Sequence, residues 1–529
     1  MLLLQTFLLT LLCVLPFTGG IYNILFMGPF PAPSHWMFME HFLQELLELG
    51  HHVTTLTNHP AKVKHGNLNE IIIEPQMNMT HYHPKERIFE MKFTSDFENL
   101  KLYWDIGLLT TEHALNQPKV KALIASKDLH FDLVVIEQFF HESMLMFAHK
   151  FKCPIVTLGT MGYADNMDHA MGVLTPWAFV PHLFLSHTDR MNFYQRAYNT
   201  YLSLYDVVIR HWYYLPRMQE MAERHFGKFS EGPLPKVNEL VKNISLMLIN
   251  SHRSLDVPRP SMPGLIDVGG IHIKPVKPLP AKLKHHLDNS TNGVIFFSLG
   301  TYIQSTDVPM RKIKLLLDAF AQLKQNVLWK YENRNLTKEL PPNVKIYNWL
   351  PQNDIFAHPN VKLFISQGGI FSTQEAIYWG LPLLFIPFFG DQHRNAKKAV
   401  RAGYARLLMF DKMTSEDLVQ NIQTLIDDPR YKREAMVASR LFRDNPIAPL
   451  KEATFWLEYV LRHKGAPHLK SHGAFMSLYQ YLLLDVLGCT ILFLILIISS
   501  MACVVVGIKR YCLRRRQVLE ARRKELKRN

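Results

Sequence analysis

Cysteine is scarce in this sequence, and its placement excludes the protein classes that depend on it. The 529 residues contain five cysteines. Four of them lie in the apolar or basic segments near the two chain ends, namely Cys13, Cys489, Cys503 and Cys512. Only Cys153 is left in the body of the chain. A single thiol forms neither a disulfide framework nor a cysteine-based metal site, so we expect a fold without disulfides and an activity without a metal.

A glycine-rich dinucleotide loop is also missing. The first predicted strand, Ile21 to Met27, is followed by GPFPAPSH and not by the G-x-G-x-x-G turn that binds a dinucleotide pyrophosphate. This absence argues against a dinucleotide-dependent reductase. The chain has no low-complexity tract, and 48% of its residues are hydrophobic. A folded protein of two or three domains is therefore expected.

The net positive charge is concentrated in the last residues of the chain. Residues 509–529 contain ten lysines and arginines against two glutamates, so this tail contributes +8 of the formal net charge of +14. The rest of the chain carries only +6. The basic composition is thus a feature of one terminal segment, and nucleic acid is not an expected partner.

Two long apolar segments lie at the ends of the chain. Residues 1–20, MLLLQTFLLTLLCVLPFTGG, predict a secretory signal peptide. Residues 486–508 contain no charged side chain and are long enough to cross a bilayer core of about 30 Å. Because the basic tail follows this span directly, we expect a single-pass type I protein with a cytosolic tail. Four sequons fit a lumenal exposure of the body, at Asn78, Asn243, Asn289 and Asn335.

The most informative stretch is VKLFISQGGIFSTQEAIYWGLPLLFIPFFGDQ, residues 361–392. Its first apolar run ends at Gly368-Gly369 and changes to a helical spacing, which predicts a strand, a tight turn and a helix. A second apolar run, Leu383 to Phe388, predicts a strand that leads to Asp391 and Gln392. The carboxyl ends of parallel strands carry the ligand sites of open α/β sheets, so a binding edge is expected here.

The groups at this edge suit a nucleotide diphosphate sugar. Free backbone N–H groups after Gly369 can bind phosphate oxygens with the help of the helix dipole. Glu375 can accept hydrogen bonds from the vicinal diol of a ribose, and Asp391 and Gln392 offer partners to sugar hydroxyls. Taken singly, each residue is better explained by an ordinary turn or a solvated helix position. Their joint spacing favours a binding site.

With glycines, prolines and polar residues at these intervals, the stretch resembles the signature of the UDP-glycosyltransferases. The resemblance covers nearly the whole chain and is strongest to the membrane-bound animal members, those of insects above all. It implies an α/β fold of the GT-B type, in which two Rossmann-like doubly wound domains face a cleft and one transmembrane helix follows. It also implies residence in the membrane of the endoplasmic reticulum.

On this architecture the chain divides into six segments. The first three are a signal peptide (1–20), an acceptor-binding domain with its linker (21–285) and a UDP-sugar-binding domain (286–445). The others are helices that cross back to the first domain (446–480), a transmembrane helix (486–508) and a basic cytosolic tail (509–529). The proline-rich composition between residues 250 and 280 predicts the linker.

His35 and Glu137 are the predicted catalytic pair. His35 lies where the loop after the first strand meets the first helix, and a neutral imidazole is the ordinary general base for a hydroxyl. A carboxylate on its other nitrogen fixes the tautomer and stabilises the imidazolium. Glu137 follows the apolar strand Phe131 to Ile136, at a place where the family commonly carries aspartate. Asp132, at the start of that strand, is the alternative partner.

The resemblance also implies roles on the donor side. Trp349 would stack on the uracil, a contact of about 1–3 kcal/mol in comparable nucleic-acid sites, and Gln352 would read the edge of the base. The residues implied to stabilise the departing UDP are Thr301, Ser366, Gln367 and Gly369.

One donor-side residue departs from the common family pattern. Gln367 stands where most members carry a histidine that touches the diphosphate. Its amide can donate a hydrogen bond but carries no charge. An active enzyme with weakened donor binding and a catalytically weakened lumenal carrier of the same fold are therefore both open.

These features together predict an inverting hexosyltransferase. The expected reaction moves a hexose, glucose by resemblance to insect members, from a UDP-sugar to a hydroxyl of a small lipophilic acceptor, as in detoxification or in hormone or pigment conjugation. The UDP-sugar is a co-substrate, and no cofactor or metal is expected; homo- or hetero-oligomers are compatible with the sequence. Residues 160–250 are rich in aromatics and methionine, which predicts either an acceptor-pocket wall or core packing with a membrane-facing surface.

Overall fold

A computed structural model of the chain describes residues 20–74, 89, 95–230, 232–332, 336 and 340–527. The chain divides into two compact units, residues up to Ser471 and residues from His472 onward. Residues 1–19 of the predicted signal peptide lie outside the described residues, as do the sequons at Asn78 and Asn335.

The first domain contains a seven-stranded parallel sheet with the order β3-β2-β1-β4-β5-β6-β7. The strands are β1 (Asn23–Gly28), β2 (His52–Thr57), β3 (Leu68–Ile72), β4 (Leu133–Glu137), β5 (Ile155–Gly159), β6 (Leu246–Ile249) and β7 (Leu265–Asp267). The strand order changes direction between β1 and β4. In doubly wound folds this switch point is where ligands bind.

Helices cover both faces of the first sheet. They are α1 (Pro33–Glu48), α2 (Asp96–Leu115), α3 (Pro118–Ala125), α4 (Met146–Phe151), α5 (Asp165–Met171), α6 (Phe193–Ile209), α7 (Leu215–Phe226) and α8 (Val237–Lys242), with a π-helical turn at Arg210–Tyr214. Alternate residues of β1 point to opposite faces. Leu25 and Met27 pack in the core that contains Trp104 of α2, whereas Ile24 and Phe26 pack against α1.

The second domain contains a six-stranded parallel sheet with the order β10-β9-β8-β11-β12-β13. The strands are β8 (Val294–Ser298), β9 (Asn326–Lys330), β10 (Val344–Tyr347), β11 (Val361–Ser366), β12 (Leu383–Phe385) and β13 (Ala405–Leu407). The helices are α9 (Ala281–Asp288), α10 (Met310–Ala321), α11 (Gln352–Phe356), α12 (Ile370–Tyr378), α13 (Gln392–Arg401), α14 (Ser415–Asp427) and α15 (Pro429–Arg443). Two doubly wound domains are thus present, as the sequence predicts.

Helix α16 (Pro449–Arg462) returns to the first domain. Its buried residues Leu457 and Val460 belong to the same apolar cluster as the residues of α1. Lys451 Nζ donates to Glu45 Oε1 at 2.5 Å. The C-terminal part of the first unit therefore packs against the first domain.

Two sequence-based boundaries are wrong. The linker expected between residues 250 and 280 contains β7, which pairs with β6 through Leu248 and Ile266. Three residues are too few to show a strand periodicity, so the proline-rich flanks dominated the prediction. The strand predicted to reach Phe388 ends at Phe385, because the chain leaves the sheet as it enters the cleft.

The second unit is helical. It contains a short 3₁₀ turn (His472–Ala474), α17 (Leu478–Tyr481) and the 42-residue helix α18 (Leu484–Glu525). An 18-residue window of α18 has a mean hydropathy of 3.0, so the helix is long and apolar enough to cross a membrane. The helix continues through the basic tail, whose arginine, lysine, glutamate and leucine residues favour helix.

Candidate active site

A cavity of about 670 Å³ lies where the carboxyl ends of the two sheets face each other. Nine of the eleven predicted site residues line its wall, namely His35, Thr301, Trp349, Gln352, Gln367, Gly369, Glu375, Asp391 and Gln392. Glu137 lies behind His35, and Ser366 is fully buried beneath the turn after β11. The structure thus brings the predicted residues of both domains to one cleft.

His35 is held by a carboxylate of the neighbouring strand. It lies in the first turn of α1, and its Nδ1 is 2.5 Å from Glu137 Oε1 at the end of β4. The Glu137 side chain is only 1% exposed, whereas His35 is 12% exposed. With Nδ1 directed at the carboxylate, Nε2 is the nitrogen left for a substrate.

Thr160 completes this arrangement, and sequence reasoning missed it. Its hydroxyl donates to Glu137 Oε1 at 2.9 Å and lies 3.1 Å from His35 Nδ1. Thr160 follows β5 directly, so the carboxyl-end rule applied to every strand points to it. Asp132, the alternative carboxylate, lies at the opposite end of β4 and accepts from the backbone N–H of Asn23 at 2.8 Å.

Aromatic rings surround the imidazole. The ring centroid of His35 is 5.1 Å from that of Phe30, 5.3 Å from Phe139 and 6.2 Å from Phe371. Phe371 belongs to α12 of the second domain, so the base of the first domain directly faces the helix predicted to bind phosphate. No sequence signal marked these rings, because isolated phenylalanines are ordinary core residues.

The start of α12 forms a recess in the cavity wall. Gly368 adopts a left-handed φ of 96° that turns the chain from β11 into the helix. Gly300 after β8 has a φ of 91°, and a Cβ there would collide with the amide of Gln367. The buried Ser366 hydroxyl donates to Gln367 Oε1 at 3.2 Å. Ser366 therefore orients Gln367 so that its NH₂ group faces the recess, and Ser366 itself does not line the cavity.

One end of the cleft carries Trp349 and Glu375. The Trp349 ring is 59% exposed, as a stacking platform requires. Gln352 Nε2 donates to Glu375 Oε2 at 2.5 Å. Burial raises the pKa of Glu375 to about 7, although the bond from Gln352 opposes this shift. This carboxylate therefore changes charge near neutral pH.

The other end of the recess carries Asp391 and Gln392 at the start of α13. Gln392 Oε1 accepts from the backbone N–H groups of Phe388 and Phe389 at 2.8 and 3.2 Å, so its NH₂ group is left for a ligand. Asp391 Oδ2 accepts from Asn395 at 2.7 Å, and burial raises the pKa of Asp391. Together they present donors and acceptors suited to sugar hydroxyls.

Lys330, at the end of β9, is a further residue that sequence reasoning missed. Its Nζ donates to the Gly300 carbonyl at 2.6 Å and to Glu332 at 3.1 Å, and it lies 5.8 Å from the Trp349 ring centroid. It thereby links the turn after β8 to the Trp349 ring. Within the described ranges no group of three or more His, Cys, Asp or Glu residues is arranged to hold a metal ion.

The segment 160–250 contributes mainly to the core. Of its described residues, Met161 lines the cavity, whereas Met167, Tyr214 and Met218 pack in the first-domain core. The first-domain side of the cavity is formed instead by α1, α2 and the loops after β1 and β4. Of the two alternatives for this segment, core packing describes the larger part.

Solved structures similar to this chain define its class. A calicheamicin glycosyltransferase, CalG4, aligns with a TM-score of 0.58 at 16% identity over 84% of this chain and 99% of that one. A UDP-glucose: anthocyanidin 3-O-glucosyltransferase in complex with UDP aligns with a TM-score of 0.56 at 14% identity over 84% of this chain and 100% of the other. The fold is therefore that of a GT-B glycosyltransferase.

Sequence comparison identifies the family. The profile described as UDP-glucoronosyl and UDP-glucosyl transferase matches residues 29–524. UDP-glucosyltransferase 2 of Dactylopius coccus is 37% identical over 90% of this chain and 92% of its own length. UDP-glucuronosyltransferase 2B13 of Oryctolagus cuniculus is 35% identical over 86% of this chain and 87% of its own. The chain belongs to the UDP-glycosyltransferase family, which confirms the resemblance, and it is a glycosyltransferase enzyme.

The contact between Gly300 and Gln367 generates a first prediction. In Gly300→Ala the new methyl group displaces the Gln367 amide, so a phosphate hydrogen bond of about 1 kcal/mol is lost. We expect the dissociation constant for UDP-glucose, measured by titration calorimetry, to rise by about fivefold. The left-handed φ also costs about 1–2 kcal/mol of folding stability.

Gly50→Ala is a matched control for this backbone cost. Gly50 has a φ of 89°, and a Cβ there meets no atom within 4 Å. The thermal stability of the Gly50→Ala variant should fall by a similar amount, and its affinity for UDP-glucose should be unchanged. Equal donor affinities in the two variants would show that Gly300 does not govern the position of Gln367.

The raised pKa of Glu375 generates a second prediction. The ribose diol donates to the ionised carboxylate, and protonation removes acceptor capacity. Because burial raises the pKa of Glu375 to about 7, UDP-glucose should bind tightest above neutral pH and more weakly as the pH falls. Calorimetric titrations from about pH 8 to about pH 6 measure this change. Glu375→Gln should bind more weakly and lose the pH dependence; a variant that retains it would place the titrating group elsewhere.

Proposed function

We propose that this protein transfers glucose from UDP-glucose to a hydroxyl of a small lipophilic acceptor, with inversion at the anomeric carbon. The observation that carries the proposal is the 2.5 Å contact between His35 Nδ1 and Glu137 Oε1, set in a cleft wall that faces the start of α12. A base held in one tautomer stands opposite a site suited to a leaving diphosphate.

The acceptor side of the reaction follows from this geometry. His35 Nδ1–H donates to Glu137, so the lone pair of Nε2 is available to the acceptor hydroxyl. As the acceptor oxygen forms its bond to the anomeric carbon, the proton moves to Nε2 and the bond to the UDP oxygen breaks. Glu137 stabilises the imidazolium that forms. One displacement from the face opposite to UDP inverts the configuration.

The donor side stabilises the negative charge that develops on UDP. Backbone N–H groups at the start of α12 and the Gln367 amide face the expected diphosphate position, with the positive end of the helix dipole behind them. These groups are fixed before the reaction, since Ser366 holds Gln367 from below. The proposed scheme uses UDP-glucose as a co-substrate and includes no metal or further cofactor.

The charges near Asp391 support glucose over glucuronate. Two cations interact electrostatically with Asp391, namely Arg394 and Lys398, and both contact Asp256, at 3.2 and 2.6 Å. They are therefore engaged with that carboxylate, whereas Asp391 itself would repel a hexuronate carboxylate. We expect kcat/KM for UDP-glucose to exceed that for UDP-glucuronate; the reverse order would contradict this assignment.

The lining of the acceptor side supports a lipophilic substrate. Phe30, Phe38, Phe139, Met161 and Phe371 all face the cavity, and such surfaces bind flat apolar molecules. Phenols are the simplest acceptors of this kind. Detoxification and hormone or pigment conjugation both use such acceptors.

The proposed location is the endoplasmic reticulum membrane, with the catalytic domains lumenal. The apolar part of α18 supports a span, and the basic residues that follow it favour a cytosolic tail. Asn243 and Asn289 are both exposed, which suits glycosylation in the lumen.

The catalytic pair generates a third prediction. His35→Ala should abolish transfer to a phenolic acceptor while UDP-glucose binding stays near the wild-type value, because His35 serves the acceptor. Glu137→Gln should lower kcat by about 10²- to 10⁴-fold, the usual range for general base catalysis. Asp132→Asn is the matched control from the other end of β4 and should retain activity. Loss of rate in Asp132→Asn but not in Glu137→Gln would show that Asp132, and not Glu137, is the carboxylate that serves His35.

Gln367 generates a fourth prediction. A neutral amide contributes about 1 kcal/mol to phosphate binding, and a charged donor about 1.5–3 kcal/mol. Gln367→His should therefore improve donor affinity or turnover by about tenfold, measured on microsomal protein with titrated UDP-glucose. Undetectable transfer by the wild type beside clear transfer by Gln367→His would favour the carrier. No change would show that the helix terminus alone dominates phosphate binding.

A further inference from the structure

Tyr103 of α2 is a buried residue of the first domain that the proposed reaction does not use. It lines the cavity, and only 8% of it is exposed. Its ring stacks on Phe184, with centroids 4.6 Å apart and an angle of 11° between the rings, and packs edge-to-face against Phe139 at 6.3 Å. Aromatic contacts on two sides hold the ring in one orientation. The hydroxyl at its tip therefore has a fixed place.

The helix that carries Tyr103 packs closely on the turn that follows β4. Gly107 lies one helical turn further along α2, and a Cβ at this position would collide with the side chain and carbonyl of Phe140. Thr111 Oγ1 lies 2.8 Å from His141 Nδ1, so a buried polar contact joins the same helix to the same turn. The backbone of α2 is therefore fixed against the strand that ends in the carboxylate partner of the imidazole.

The Tyr103 hydroxyl reaches across the cleft to the second domain. A Cβ added to Gly390 would lie 3.1 Å from Tyr103 Oη, so the hydroxyl lies against the turn between β12 and α13. Gly390 has a left-handed φ of 63°, and its missing side chain leaves room for the hydroxyl. The next residue is Asp391, which lines the same cavity. A first-domain hydroxyl and a second-domain carboxylate thus lie side by side.

The surroundings keep this hydroxyl protonated. Burial raises the pKa of Tyr103, and the charges of Asp391 and Tyr302 raise it further. Burial likewise raises the pKa of Asp391, although the bond from Asn395 and the charge of His35 oppose this shift. Asp391 therefore interacts with both the imidazole and the phenol. A neutral phenol donates one hydrogen bond, whereas an ionised carboxylate only accepts, so the two groups complement each other toward a sugar hydroxyl.

We propose that Tyr103 is a sugar-recognition residue, whose hydroxyl donates a hydrogen bond to a hydroxyl of the hexose held at Asp391 and Gln392. This inference rests on the proposed function, because it takes the hexose of a UDP-sugar as the ligand. The first domain then binds the donor as well as the acceptor, and the hexose links the two domains. UDP without a sugar has no group at this place, so its binding does not involve Tyr103.

Calorimetric titrations of the full chain with UDP and with UDP-glucose, both without acceptor, test this role. Tyr103→Phe removes one oxygen atom and keeps the ring that stacks on Phe184. Because a neutral hydrogen bond contributes only modestly to binding, we expect the dissociation constant for UDP-glucose to rise by about fivefold. The dissociation constant for UDP should stay at the wild-type value. A purely structural role of Tyr103 would change both constants together.

Tyr198→Phe is the matched control for the loss of one hydroxyl. Tyr198 lies on α6, and its hydroxyl donates to Asp96 at 2.8 Å, so both dissociation constants should stay unchanged. Gly390→Ala approaches the contact from the second domain, because its Cβ displaces the Tyr103 hydroxyl. It should weaken UDP-glucose binding in the wild-type background and weaken it less when combined with Tyr103→Phe. Full additivity of the two changes would contradict the proposed contact.

Two further results would overturn the proposal. An unchanged affinity of Tyr103→Phe for UDP-glucose means that the hydroxyl does not contact the sugar. An equal loss of affinity for UDP and UDP-glucose means that Tyr103 only supports the packing of the two domains. Failure of the proposed function gives a different result, namely wild-type protein that binds UDP-glucose and transfers no glucose. The titrations contain no acceptor, so that result would leave this test unaffected.

Discussion

The structure depends on one constraint, that the carboxyl ends of two parallel sheets face the same cleft. β4 and β5 end at Glu137 and next to Thr160, and β11 ends just before Gln367. One domain therefore presents a base, and the other presents a helix terminus and a row of polar groups. Helix α16 then returns from the second domain and packs against the first.

Buried polar groups fix the orientation of the side chains that line the cleft. Glu137 and Ser366 are almost fully buried, and each orients a residue that lines the cavity. A buried hydrogen bond fixes one rotamer more tightly than a solvated one, because no water competes for the partner. The cleft thus combines exposed side chains, such as Trp349, with buried groups that hold cavity-lining residues in place.

The sequence predicted the fold class, the family and the placement of most site residues, because the carboxyl-end rule needs only strand ends and glycine turns. The signature around Gly369 carries this information locally. Thr160, Lys330 and the ring of Phe371 were missed, since their roles arise from contacts between distant segments. The strand β7 was missed because three residues show no periodicity.

The central claim is that His35 activates the acceptor for one displacement on a sugar held by the second domain. The most direct measurement is the anomeric configuration of the product, read by proton NMR after transfer from UDP-glucose to a simple phenol. The donor carries an α-linked glucose, so a single displacement predicts a β-glucoside. An α-glucoside would contradict the account, because retention requires a second displacement or a different attacking face.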